Sequence, residues 1–175
     1  EIRTSATQRN VRRARRRAEQ RGESASCEAV GCGRMGGCVV LVRDDCRLHD
    51  NPALYNAFVS HSWIMPLYVH DDADPSPLPV RGAGLYWRHM SLSSYAEALP
   101  RCNGRLVIRK GCYVEEVLDV LLASGARSLY FNRQLEPWYH ERDLELEQKI
   151  AEMGFEVKSF KGMVLQREPW EHMEP

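Results

Sequence analysis

The chain has 175 residues, of which 43% are hydrophobic and 27% charged, a composition typical of one globular domain with a sizeable core. No stretch approaches the roughly 18 apolar residues of a membrane-spanning helix, so we expect no membrane partner. The zero net charge is unevenly distributed, because residues 1–37 hold nine Arg and four Glu whereas residues 38–175 hold 15 basic and 20 acidic residues. This acidic body is not expected to bind DNA by itself.

Residues 1–37 form an Arg-rich segment without a periodic apolar face, which predicts disorder. Three interpretations stay open: a flexible tail or upstream sequence, an organelle targeting segment, and an arm that contacts nucleic acid. No secretory signal is present, so we expect an intracellular location in the chloroplast, mitochondrion, nucleus or cytoplasm. The first residue is Glu1 and not Met, which indicates a fragment of a longer protein.

The six cysteines are interpreted as reduced, structural residues. Cys27, Cys32 and Cys38 are separated by four and five residues, a spacing that fits no tight zinc site, and the other three are isolated. A metal site is the less favoured alternative, and we expect none.

From Cys38 onward, short β-branched segments alternate with amphipathic ones. The predicted strands cover residues 38–43, 63–70, 105–110, 128–132 and 155–160. The predicted helices cover residues 51–60, 83–99, 113–124 and 136–154. Asn51 is expected to cap the first helix and Gly125 to end the third, while Pro66 weakens the second strand. This alternation predicts an α/β fold, a doubly wound, Rossmann-like five-stranded parallel sheet with helices on both faces.

Two polar segments follow predicted strands at the same edge of this sheet. In open parallel sheets, ligands bind beyond the carboxyl ends of the strands. The run from Arg43 to Asp50 follows the first strand, and the segment from Asn132 to Glu136 follows the fourth. No Gly-rich phosphate-binding motif follows the first strand, which disfavours an ordinary NAD-binding domain. The charged run has one His and no nucleophile at the required spacing, so we expect no catalytic residue in it.

Six segments, in the same order and at consistent spacing, resemble photolyases and cryptochromes. RDDCRLHDNPAL resembles the motif that opens the family's α/β domain, and NRQLEPWYHERD resembles its Asn-Arg-x-Tyr-Glu-Pro segment, which ends in Arg-Asp. The other four segments are PLYVHD, HMSLSSYAEAL, GRLVIRKG and SFKGMVLQREPWE. The resemblance covers residues 38–175 and implies that residues 38–165 form the family's α/β domain, whereas residues 166–175 begin the linker to a helical flavin domain.

The resemblance also implies a division of labour between two domains. The α/β domain of the family carries an antenna chromophore of the folate or deazaflavin type. FAD, the electron-transfer tryptophans and the DNA-damage pocket belong to the helical domain, so damaged DNA would be contacted only through that missing domain. We therefore expect Trp87, Trp138 and Trp170 to pack in the core.

The resemblance and the sheet edge together give nine candidate contacts to a small-molecule pigment. They are Arg43, Asp44 and Asp45 after the first strand, Tyr68, Val69 and His70 at the end of the second, and Asn132, Gln134 and Glu136 after the fourth. Two alternatives to pigment contact stay open for the charged run. It can fasten the first loop through Arg–Asp pairs, or it can dock the missing domain. Glu136 matches one member of the acidic pair that binds deazaflavins, and Gln134 replaces the other. Glu136 can instead favour the following helix through its dipole.

Three functions follow as hypotheses. The first is the antenna domain of a deoxyribodipyrimidine photo-lyase, which repairs pyrimidine dimers under blue light when joined to its FAD domain. The second is a cryptochrome photoreceptor domain that acts in light signalling. The third is a stand-alone nucleotide-binding or pigment-binding module.

Overall fold

The computed structural model describes residues 35–71, 73–99 and 104–162, which contain five strands and four helices. The strands are β1 (Met35–Leu41), β2 (His61–Asp71), β3 (Val107–Gly111), β4 (Ser128–Asn132) and β5 (Glu156–Phe160). The helices are α1 (Pro52–Ser60), α2 (Ala83–Ala98), α3 (Tyr113–Ser124) and α4 (Pro137–Glu152). The predictions for residues 1–34 and for a linker at 166–175 lie outside the described residues. No helix among the described residues is long and apolar enough to cross a membrane.

All strands pair in parallel, in the order β3-β2-β1-β4-β5, which confirms the predicted doubly wound sheet. Alternate side chains of each strand enter different cores. One face packs against α3 and α4 through buried residues such as Val39, Leu67 and Leu129. The other face is divided, because Val40 packs with α1 and Tyr68 packs with α2.

The first strand begins earlier than the sequence predicts. The predicted strand spans residues 38–43, whereas β1 runs from Met35 to Leu41 and pairs with β2 over its length. Glycine at position 37 makes this pairing possible, because a Cβ there would lie 1.8 Å from the ring of Trp63. The sequence analysis places the two glycines before Cys38 in the segment predicted to be disordered, because their role as strand residues depends on a contact with β2.

The proline inside β2 is compatible with pairing on both sides. The carbonyl of Leu67 accepts a hydrogen bond from the Val42 amide of the β1 side, so the neighbouring Pro66 faces the β3 side. The ladder with β3 begins only at the Leu67–Val107 pair. Pro66 therefore replaces an N–H that would have no partner strand, which is where a sheet tolerates proline.

Helix ends follow the predicted capping residues. The Asn51 side chain accepts a hydrogen bond from the Leu54 amide at 3.1 Å, and Pro52 occupies the first turn of α1. Gly125 ends α3 in the left-handed conformation at φ 73°. Both predicted caps are confirmed.

The buried thiol of Cys38 should react slowly with alkylating reagents. Burial between β1 and α1, followed by the charge of Glu156, raises the pKa of Cys38 to about 12, so its reactive thiolate is scarce near pH 8. Iodoacetamide labelling followed by mass spectrometry should modify the exposed Cys112 before Cys38, and it should reach Cys38 only under denaturing conditions. Equal labelling rates at the two positions would contradict the buried placement of Cys38.

Candidate functional site

The strand order places the two polar segments beside each other. β1 lies between β2 and β4. The connection after β1 leads to β2 on one side, and the connection after β4 leads to β5 on the other side, which opens a crevice between them at the carboxyl edge. The residues after β1 and the residues after β4 meet in this crevice. The sequence-based placement of both segments at one edge is therefore correct.

Arg43 is the centre of a buried polar cluster. Its guanidinium donates to both carboxylate oxygens of Asp143 in α4, each at 2.7 Å, and its Nε donates to the hydroxyl of Tyr113 at 3.0 Å. Burial alone would lower the pKa of Arg43, but Tyr113 and Asp143 raise it above the ordinary value. Arg43 is thus a fixed cation that ties β1 to α3 and α4, and it is only 7% exposed.

Asn132 forms the second buried cluster, which joins β4 to the β1–α1 loop. Its side-chain amide donates to the Asp45 carboxylate and to the Asn51 side-chain oxygen, and its own oxygen accepts from the Ala53 amide at 3.1 Å. Asp45 also accepts from the Arg43 amide at 3.0 Å. The side-chain amide of Asn132 therefore provides hydrogen-bond partners for buried polar groups of both the β1–α1 loop and the first turn of α1.

Next to the Arg43 cluster lies a cavity of about 400 Å³, here called the carboxyl-edge pocket. Its aromatic lining comes from Tyr68, Tyr113 and Tyr139, which belong to β2, α3 and α4. Val69 and His70 of β2 line it as well. Six of the nine predicted contacts border this pocket, namely Arg43, Asp44, Tyr68, Val69, His70 and Gln134.

A chain of polar contacts crosses the pocket from α2 to α4. Arg88 of α2 contacts Asp44 at 3.0 Å, and the Gln134 amide donates to the other oxygen of Asp44 at 3.1 Å. Arg142 of α4 donates to the Gln134 oxygen at 3.3 Å and to Asp71 at 3.4 Å. Hydrogen-bond donors and acceptors therefore alternate along the wall of the pocket.

Neighbouring groups shift the pKa values of three residues that line the pocket. Burial alone would lower the pKa of Arg88, but the adjacent Asp44 and Tyr68 raise it. Burial raises the pKa of Tyr68, although Arg88 opposes that shift. Burial and the carboxylate of Asp74 raise the pKa of Tyr139, whose hydroxyl contacts Asp74 at 3.1 Å. Near neutral pH the pocket thus presents the charged guanidinium of Arg88 together with the neutral phenols of Tyr68 and Tyr139.

The remaining predicted contacts lie in a different place. Asp45, Asn132 and Glu136 border a smaller cavity of about 140 Å³, which Arg43, Asp44 and Gln134 also line. Glu136 is exposed at the start of α4, where its side chain makes no capping hydrogen bond. The structure therefore brings Gln134, but not Glu136, into the carboxyl-edge pocket.

Several residues of the pocket were missed by the sequence analysis. Arg88, Asp71 and Arg142 contribute charges to its wall although none was predicted as a contact. The Arg-Asp pair that ends NRQLEPWYHERD was a usable signal, because Arg142 and Asp143 are its two members. Arg142 also stacks on the Tyr113 ring, with 3.8 Å between its Cζ and the ring centroid.

One prediction about the tryptophans is wrong. Trp87 was expected in the core, but it is 76% exposed on the outer surface of α2. The buried side of that helix is formed by Leu92 and Tyr95, so Trp87 points away from the sheet. Trp138 is half-buried, and Trp170 lies outside the described residues.

Comparison with known proteins gives the family. The family described as DNA photolyase matches residues 38–174. The chain is 33% identical over 127 residues to a deoxyribodipyrimidine photo-lyase of Agrobacterium fabrum, a match that covers 73% of this chain and 26% of the relative. It is 29% identical over 134 residues to cryptochrome-2 of Arabidopsis thaliana, which covers 76% of this chain and 22% of the relative.

A solved structure agrees with these matches. The class III photolyase of Agrobacterium tumefaciens superposes with a TM-score of 0.70 at 29% identity, over 82% of this chain and 29% of that one. The chain therefore spans about a quarter of the length of the relatives that it matches. With the sheet order, the carboxyl-edge crevice and the family match in agreement, the chain belongs to the DNA photolyase family and corresponds to the N-terminal α/β domain of photolyases and cryptochromes.

Proposed function

We propose that this domain binds an antenna chromophore in the carboxyl-edge pocket and serves a photolyase that repairs pyrimidine dimers in light. The observation that carries the proposal is that this pocket coincides with the end of β2 and with the segments after β1 and β4, which the resemblance singles out. Such a chromophore, when bound, absorbs blue light and transfers the excitation energy to a flavin. FAD and the contact with damaged DNA would belong to a helical domain of the longer parent protein.

The chemistry of the pocket fits a flat heteroaromatic ligand with a polar edge. Its volume of about 400 Å³ lies within the range of small-molecule sites, roughly 300–1,000 Å³. Tyrosine rings offer flat apolar surfaces, while Gln134 and Asp44 offer a donor and an acceptor at the rim. Folate and deazaflavin chromophores both combine a planar ring system with such an edge, so the pocket supports the class of ligand.

The residues of the crevice divide into two roles under this proposal. Asp44, Tyr68, Val69, His70 and Gln134 contact the chromophore. Arg43, Asp45 and Asn132 hold the loops in place, because they are buried and bind protein groups, whereas Asp44 and Gln134 remain accessible from the pocket. Glu136 contributes little to binding, since it borders the smaller cavity instead.

A titration tests both the ligand and the site. The chain is mixed with 8-hydroxy-5-deazaflavin, with 5,10-methenyltetrahydrofolate and with AMP, and the bound fraction is measured by absorbance and fluorescence. We expect one of the two pigments to bind. Replacing Gln134 with Leu should weaken that binding about tenfold, since a lost hydrogen bond in a desolvated site costs about 1.4 kcal/mol.

The matched control is Glu136→Gln, which alters a neighbouring polar side chain outside the carboxyl-edge pocket. It should bind the pigment as the unchanged chain does. Equal weakening by both substitutions would contradict the placement of the ligand. Binding of AMP without binding of either pigment would favour the stand-alone nucleotide-binding module.

Light signalling is the second candidate function, supported by the match to a plant cryptochrome. Both functions use the same α/β domain, so the discriminating measurement is made on the parent protein. Illuminated parent protein that removes pyrimidine dimers from ultraviolet-damaged DNA supports the photolyase. A flavin-containing parent that leaves the dimers intact supports the photoreceptor.

A further inference from the structure

The first half of α2 presents a large apolar surface on the side that faces away from the sheet. Tyr86 is 67% exposed, Trp87 is 76% exposed and Met90 is 48% exposed. Met90 follows the two aromatic residues at helical spacing, so all three share one face of the helix, here called the α2 patch. Leu92 and Tyr95 bury the opposite face in the core. α2 is therefore apolar on both sides, which is typical of a helix that packs against a partner on each side.

The composition of the α2 patch is that of a protein–protein interface. Aromatic residues and Met are enriched at the centre of interfaces, whereas Lys, Glu and Asp are depleted there. An open cavity of about 480 Å³ lies beside the patch, between α2 and the β1–α1 loop, and its lining includes Trp87, Met90 and Cys46. The surface thus combines aromatic side chains that can insert into a partner with a cavity that can receive one.

The charges at the two ends of α2 have the opposite sign to those that a helix dipole favours. The exposed Arg81 lies just before the helix, and the exposed Glu97 lies in its last turn. A helix N-terminus favours acidic side chains, and a C-terminus favours basic ones. Within the described residues of α2, the first turn holds no acidic residue and the last turn holds no basic one. The charges of α2 itself therefore oppose its dipole.

We propose that the α2 patch binds the α2 patch of a second copy of this chain, with the two helices antiparallel about a twofold axis. Arg81 and Glu97 are equally distant in sequence from His89, so an axis near His89 places Arg81 of each copy opposite Glu97 of the other. Each helix N-terminus then meets an acidic side chain. The interface is isologous, so each copy supplies both the aromatic side chains and a receiving cavity. A second copy is the partner that the charges favour, because their pattern is complementary to itself.

The size of the α2 patch predicts a weak, reversible dimer. An aromatic side chain buries roughly 150–250 Å², so the four rings of two copies bury at most roughly 600–1,000 Å². With Met90 included, the total falls near or below the lower end of specific interfaces, about 1,200 Å². We therefore expect a dissociation constant on the order of 10 μM. The proposal does not depend on the proposed pigment site, because the three residues of the α2 patch do not line the carboxyl-edge pocket.

Sedimentation velocity of the 175-residue chain tests the proposal. We expect a shift from monomer to dimer between roughly 1 and 200 μM. Trp87→Glu should weaken the dimer at least about tenfold, because it buries two like charges at the centre of the interface. The matched control is Leu144→Glu, which adds the same charge at a 52% exposed position of α4 and should leave the dissociation constant unchanged. A chain that stays monomeric, or equal effects of the two substitutions, would overturn the proposal.

A charge exchange tests the antiparallel arrangement. Arg81→Glu and Glu97→Arg should each weaken the dimer about threefold to tenfold, since each replaces two symmetry-related attractions with repulsions. Each substitution also gives α2 a charge that its dipole favours, so loss of the dimer does not follow from unfolding. The double variant that combines the two substitutions should restore the dissociation constant of the unchanged chain. A double variant that dimerises no better than either single variant would overturn the proposal.

Photo-crosslinking identifies what contacts the α2 patch. The photoreactive residue p-benzoylphenylalanine replaces Tyr86, light and heavy isotope-labelled chains are mixed, and cross-linked peptides are identified by mass spectrometry. We expect cross-links that join α2 of a light chain to α2 of a heavy chain. Cross-links formed only within one molecule, or cross-links to a different element of the second copy, would overturn the proposal.

Discussion

Replacing Arg43 with Ala is expected to lower the free energy of unfolding by about 3–5 kcal/mol, because it leaves the buried Asp143 without its partner. Asp143 is 4% exposed and accepts two hydrogen bonds from Arg43, each at 2.7 Å. The substitution also removes the contact between the guanidinium and the Tyr113 hydroxyl. Urea denaturation followed by circular dichroism measures the loss.

Two further variants separate the buried charge from simple loss of contact. Replacing Lys149 with Ala breaks an exposed ion pair with Glu145 on α4, and it should cost less than about 1 kcal/mol. The double variant Arg43→Met with Asp143→Leu should lose less stability than Arg43→Ala, since no uncompensated charge remains. A similar loss for Lys149→Ala and Arg43→Ala would argue against the buried cluster.

Replacing Asn132 with Ala is expected to destabilise the domain by roughly 2–4 kcal/mol, since each buried polar group left unsatisfied costs about 1–3 kcal/mol. The Ala53 amide, the Asp45 carboxylate and the Asn51 side chain all lose a partner. The matched control is Gln134→Ala, two residues further along, which should cost at most about 1 kcal/mol, because its hydrogen bonds with Asp44 and Arg142 are accessible to water. Equal losses at the two positions would contradict the role of Asn132.

The variant Asn132→Asp adds a pH dependence with a definite sign. It places a carboxylate where the Asn132 amide donates to Asp45, so protonation of one of the two acids is favoured in the folded state. A carboxyl group whose pKa is raised on folding destabilises the fold above that pKa and ceases to do so below it. The stability difference from the unchanged chain should therefore shrink from pH 7 to pH 4.5, as measured by urea denaturation at both values.

The parts of this structure that local patterns control could be predicted from the sequence. The bounds of α3 and β4 agree with the prediction, because their apolar spacing and the cap at Gly125 act within a few residues. The start of β1 could not be predicted, since the extended glycines there depend on Trp63 in another strand. Local patterns therefore determine α3 and β4, whereas the start of β1 is determined by a contact with another strand.

In the candidate site, too, local sequence predicts the position of a residue, whereas contacts with other elements decide where its side chain lies. The position of Gln134 and Glu136 near the carboxyl edge follows from the end of β4, and it was predicted. Which of the two side chains enters the pocket depends on Asp44 and Arg142, which come from other elements. The exposure of Trp87 likewise depends on which side of α2 meets the sheet.

The strand order also has a consequence for how the chain folds as it is synthesised. β1 can pair with β2 early, but its other edge pairs with β4, whose first residue, Ser128, is opposite Cys38. At a synthesis rate of roughly 5–20 residues per second, the nascent chain carries an unpaired apolar strand edge for several seconds. That edge is a template for pairing with other chains, so protection by a chaperone matters most before β4 emerges from the ribosome.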